Sequence, residues 1–159
     1  MKITGIGDLL IPGKYIQAGF QNFVAAGHEL KIIEWKHKDI KQMQNINLQI
    51  EQNGPEIYEV ENEIIEAVKD ADVIITQFCP INRKLIDSCK KLKAIGVLRG
   101  GTENINLQYC ESKGIEVFNT PGRNANAVAD FTVGLLLSEA RNIARAHALL
   151  KEGRWVKQF

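Results

Sequence analysis

Short, unbroken apolar runs recur along the chain, separated by stretches in which apolar residues return every three or four positions. The runs predict strands over Lys2–Gly7, Leu30–Trp35, Val73–Ile75, Ala94–Leu98 and Ile115–Phe118. Between them, Pro12-Gly13 opens a predicted helix running to Ala26, with Tyr15, Phe20, Phe23 and Val24 on its apolar side and Gly27 as its stop. Glu61–Lys69 carries Ile64, Ile65 and Val68 at helical spacing. Asn82–Cys89 is a shorter helix, and Asn106 caps another that runs through Ser112 to Gly114. Residues 36–55 are polar and predict only a helix around Asp39–Glu51.

Continuous apolar strands, rather than alternating ones, belong to sheets covered on both faces by helices. They imply parallel pairing through right-handed crossovers. The pattern therefore predicts an α/β fold, a doubly wound five-stranded parallel sheet of flavodoxin-like type. Residues 126–150 read as one long helix, with Val128, Phe131 and Leu135 on one stripe and Val133, Leu136, Leu137 and Ala140 on another. A helix apolar nearly all round needs burial on more than one side. The expected cover is a second copy or a domain outside this chain.

The 159 residues suffice for a core without disulfides or metal, since a domain this size buries roughly 70% of its unfolded surface. A net charge of +1 with interspersed signs offers no cationic face for nucleic acid. Cys79, Cys89 and Cys110 have neither disulfide nor zinc spacing. No apolar run reaches the length of a membrane helix and the start of the chain lacks a secretory pattern, so a cytoplasmic protein without membrane contact is expected.

Ligands of open parallel sheets bind outside the carboxyl ends of the strands. After Leu98 the chain reads Arg99-Gly100-Gly101-Thr102-Glu103-Asn104. Two glycines let a backbone approach a ligand closely and aim successive N–H groups at one oxygen. Arg99 can offer a bidentate partner to a carboxylate, and the helix start near Asn106 adds its dipole. The alternative is a tight turn with Arg99 in a surface ion pair. Gly5-Ile6-Gly7-Asp8-Leu9-Leu10 imitates a dinucleotide fingerprint, with Glu34 placed like a ribose-binding acid, but Leu10 stands where a third glycine belongs. No nucleotide site is expected there, although Asp8 can line the cleft. His28, His37 and His147 lack carboxylate partners in sequence and read as structural or solvated. The chain shows a binding site and no catalytic engine.

Leu92–Phe159 resembles the D-isomer-specific 2-hydroxyacid dehydrogenase family, in its phosphoglycerate dehydrogenase-like branch. The fragments carrying the resemblance are RGG with its following Asn104, KGIEVFNTPG, AVAD and GLLLSEAR. The resemblance implies a substrate-binding domain over 1–119, and over 120–159 a linker with the first helix of a truncated Rossmann cofactor domain. The glycine-rich NAD motif and the catalytic arginine, glutamate and histidine are then expected beyond Phe159, so the chain by itself is expected to be inactive.

By the same resemblance Gly100 and Gly101 hold the substrate carboxylate and Arg99 assists them. Thr102 lies beside the nicotinamide of NAD or NADP, and Asn104 is architectural. The implied partners are a small 2-hydroxy or 2-keto acid and a second subunit in a homodimer. Two departures put a phosphorylated substrate in doubt: the loop before Asn104 is short, and Thr76-Gln77-Phe78-Cys79 lacks a phosphate-binding arginine. The rival readings are a dehydrogenase-like corepressor or other non-catalytic binding module, and a stand-alone flavodoxin-like domain binding FMN or acting as a receiver. For a receiver, Asp8 stands alone where an acidic cluster is needed.

Overall fold

The computed structural model describes residues 1–156; Lys157–Phe159, assigned above to the second domain, lie outside the described residues. Five strands form: β1 (Lys2–Gly7), β2 (Glu29–Glu34), β3 (Val73–Thr76), β4 (Ala94–Val97) and β5 (Glu116–Asn119). All four pairings are parallel, and the sheet order is β2-β1-β3-β4-β5. This is the flavodoxin-like order, in which the chain reverses its direction of growth between β1 and β3.

The helices are α1 (Gly13–Gly19), α2 (Gln21–Ala25), α3 (Ile40–Asn53), α4 (Asn62–Val68), α5 (Arg83–Ser88), α6 (Leu107–Ser112), α7 (Ala125–Ala140) and α8 (Ile143–Lys151). Ile6, Ile74 and Ile95 of the central strands join Ile50, Ile64, Val68 and Leu85 from α3, α4 and α5 in the main core. A smaller core unites Ile3 and Ile75 with Ile16 of α1. The polar stretch 36–55 yields α3 because Asp39 accepts from the Gln42 amide at 2.8 Å, while Met43 and Ile50 are fully buried. A side-chain cap of this kind satisfies an amide the helix cannot.

Two predicted helices are shorter than the pattern implied. The one over 12–26 breaks at Phe20, whose φ of −103° and ψ of 11° end α1 before α2 begins. Phe20 leaves helical geometry to join the smaller core beside Ile16, which leaves Tyr15, Phe23 and Val24 exposed. The helix over 126–150 breaks at Arg141-Asn142. Asn142 has φ 54°, a left-handed conformation that asparagine tolerates better than most residues. Its side-chain oxygen accepts from Arg145 at 2.5 Å, and Arg145 also pairs with Glu139.

Met1–Pro121 forms one compact unit, and the chain from Gly122 forms a second. No residue of α7 is buried: Phe131 is 68% and Leu136 65% exposed. Among the described residues no helix is long and apolar enough to cross a membrane.

Candidate anion-binding site

Strand β4 delivers the glycine pair to the carboxyl edge of the sheet. The Leu98 amide continues the ladder to the Thr76 carbonyl at 2.8 Å, and the chain then turns. The Thr120 amide donates to the Arg99 carbonyl at 3.0 Å, and Asn119 Nδ2 donates to the Gly100 carbonyl at 2.6 Å. The carbonyls of the turn are thus tied back to the end of β5. The amides of Gly100 and Gly101 donate to no acceptor among the described residues. Two neighbouring amide donors without a partner, at the end of a parallel strand, are what an anion seat requires.

The two glycines differ in surroundings, and neither has positive φ. A β-carbon at Gly100 would meet only Pro121 Cα at 3.8 Å and the Thr120 carbonyl oxygen at 3.9 Å. At Gly101 it would stand 2.8 Å from Cδ of Glu103, whose carboxylate lies across the turn. Beyond the turn, the Ile105 amide donates to the Thr102 carbonyl at 2.9 Å. Fully buried Asn104 donates from Nδ2 to the Cys79 carbonyl at 3.2 Å, so its role is architectural. The Ile81 amide donates to the Asn104 carbonyl at 2.8 Å, joining the loops that follow β3 and β4.

Arg99 stands behind the turn. Its Nη2 lies 2.9 Å from Glu51 of α3 and 3.4 Å from Glu103, and its guanidinium covers the Phe78 ring at 4.3 Å. Nη1 is buried without a hydrogen-bond partner among the described residues. At the helix start near Asn106, α6 has six residues and Asn106 Oδ1 accepts from the Tyr109 amide at 3.0 Å. Glu51, Phe78, Glu103 and Asn119 are the site residues that sequence reasoning missed. Glu51 lies 48 positions from Arg99, and no local spacing announces such a contact.

The other candidates resolve differently. Glu34 accepts from the Gly13 amide at 2.8 Å; it closes β2 onto α1, and the pseudo-fingerprint is a structural turn. Asp8 is buried and does not line an open cleft. Its Oδ1 accepts from the Leu10 and Ile11 amides, each at 2.8 Å, while Oδ2 has no partner. Burial raises the Asp8 pKa against the pull of those amides and of His37. His37 packs edge-on to Trp35 at 4.2 Å, and desolvation lowers its pKa against the charges of Glu61 and Asp8. Tyr58 donates to Glu61 at 2.7 Å, and its phenol is pushed up to about 12, chiefly by burial. Of these groups only Asp8 is buried; His37 and Tyr58 are partly buried and Glu61 is exposed. His28 meets the terminal amine at 3.3 Å, and His147 is exposed.

Fold and turn together define an α/β ligand-binding domain of doubly wound type with an amide-lined seat at the end of its fourth strand. The profile of the D-isomer specific 2-hydroxyacid dehydrogenase catalytic domain matches residues 30–155, and the chain belongs to that family.

Its relatives include a D-3-phosphoglycerate dehydrogenase of Methanocaldococcus jannaschii, 42% identical over 94 residues, covering 58% of this chain and 18% of the relative. A hydroxypyruvate reductase of Thermotoga maritima is 39% identical over 98 residues, covering 61% and 32%. The NAD-bound 3-phosphoglycerate dehydrogenase structure from Entamoeba histolytica superposes with a TM-score of 0.61 at 28% identity, over 87% of this chain and 38% of that one. The chain thus spans between 18% and 32% of the length of these two curated relatives.

Proposed function

We propose that this chain is the substrate-binding part of an NAD(P)-dependent oxidoreductase acting on a small 2-hydroxy or 2-keto acid. The observation that carries this reading is the pair of unpartnered amides at Gly100 and Gly101. They hold the substrate carboxylate and so fix the position of C2, while Arg99, paired with Glu51 and Glu103, braces the turn. Orientation of this kind, with amide dipoles already in place, is how a binding domain contributes to catalysis. Residues 1–119 form the substrate domain, and 120–159 belong to the linker and the cofactor domain. NAD or NADP, when bound, supplies the hydride acceptor or donor. Thr102 is the residue of this chain that meets it. Glu34 is already committed to the Gly13 amide, so apart from the contact at Thr102 the dinucleotide is held mainly outside residues 1–119.

The apolar face of α7 is covered by the rest of the cofactor domain and by a second subunit, and the protein works in the cytoplasm. In the isotopically labelled chain, millimolar glyoxylate or D-glycerate is expected to shift the Gly100 and Gly101 amide resonances ahead of all others. If neither acid moves those two resonances, the carboxylate seat does not exist and the reading fails.

A further inference from the structure

Arg99 is the one cation in Arg99–Asn104, and it is engaged from two sides. Glu51 lies 2.9 Å from its Nη2 and Glu103 3.4 Å away, while Phe78 covers its face. Its side chain is only 17% exposed, whereas those of Glu51 and Glu103 are 42% and 47% exposed. One positive and two negative charges leave the wall of the seat with a net charge of −1. The loop after β3, Gln77-Phe78-Cys79-Pro80-Ile81-Asn82, supplies no cation to offset it. Glu103 lies across Gly101 itself, its Cδ 2.8 Å from where a β-carbon would stand.

Two kinds of acid meet this wall differently. A carboxylate carries a single charge that two amide dipoles can accept without a cation. A phosphate monoester adds a charge of about −1.5 to −2, which needs a free guanidinium or ammonium, and the Nη2 of Arg99 is already paired with two carboxylates. Added negative charge near such a wall is repelled.

We infer that Glu51 and Glu103 are specificity-determining residues: by engaging Arg99 they reserve the Gly100-Gly101 seat for unphosphorylated 2-hydroxy or 2-keto acids and reject phosphorylated ones. The inference rests on the carboxylate-seat reading above. Mutual attraction keeps Arg99 with its two partners, so it acts as a brace and shields the seat from its own charge.

The test compares D-glycerate with 3-phospho-D-glycerate on the labelled 159-residue chain, following the Gly100 and Gly101 amides. In the unaltered chain 3-phospho-D-glycerate is expected to bind no more tightly than D-glycerate. Replacing Glu51→Gln and Glu103→Gln together is expected to raise the affinity ratio, phosphorylated over unphosphorylated, at least fivefold. The single Glu103→Gln chain, altered at an exposed position, shifts it in the same direction. Tighter binding of 3-phospho-D-glycerate to the unaltered chain, or a smaller rise in the double variant, overturns the assignment while leaving the carboxylate seat intact. Silence of both amides toward both acids removes the seat and this inference with it.

Discussion

A methyl group placed on Gly100 would meet Pro121 and the Thr120 carbonyl at ordinary van der Waals distances, and the backbone there needs no positive φ. Gly100→Ala should therefore leave stability within about 0.5 kcal/mol of the parent while crowding the approach to its amide. D-Glycerate affinity, read from the Gly101 resonance, is expected to fall about tenfold, or 1.4 kcal/mol; an unchanged affinity would show that ligands do not approach this turn.

Asp8 gives a prediction in pH. Burial raises its pKa above the ordinary 3.8, so the fold favours its neutral form. The resulting stability is present below the unfolded pKa and is lost as pH rises through the folded one. Asp8→Asn keeps the acceptor for Leu10 and Ile11 and removes the ionisation. It should be more stabilising at pH 7 than at pH 4 and flatten the profile upward from pH 4. Denaturant midpoints at the two pH values decide, and equal destabilisation at both would reject it. The glycine pair was legible in sequence because its signal is local, two adjacent residues after an apolar run. Glu51 was not, because an ion pair closed by tertiary packing leaves no trace in spacing.

At the scale of elements, α3 connects sequence to site. Its cap, Asp39, accepts from Gln42, and Gln42 Oε1 in turn accepts from the Lys38 amide at 2.7 Å. Asp39→Ala should cost about 1 kcal/mol in a urea titration, and no change would mean that water replaces the cap. The strands were the most legible elements because a buried parallel strand has no polar face to obscure its run. The two helices read as continuous were not, for opposite reasons. Phe20 leaves helical geometry for a place in the core, a tertiary reward invisible to periodicity. Asn142 breaks its helix by local chemistry, adopting φ 54° with Arg145 donating to its side chain.

For the whole molecule, the exposed apolar residues of α7 set the behaviour in solution. An unpartnered surface bearing Phe131, Leu135 and Leu136 exceeds the scattered apolar exposure of ordinary monomers. Sedimentation velocity should show association of the 17.8 kDa chain growing with concentration and weakened by Leu136→Asp. Monodisperse monomer across that range would refute it. The chain is also expected to show no NADH consumption with glyoxylate, and measurable turnover would place catalytic groups within it.

The hydrogen bonds joining Ile81 and Asn104, with buried Asn104 fastened to Cys79, have an evolutionary consequence. They clamp the base of the turn, so residues inserted between Thr102 and Asn104 would open the Ile105–Thr102 hydrogen bond of the crown and leave the Ile81–Asn104 bond beneath in place. A longer crown spliced into that gap would reshape the approach to Gly101 and reposition Glu103, which makes it an engineering route to a different acid.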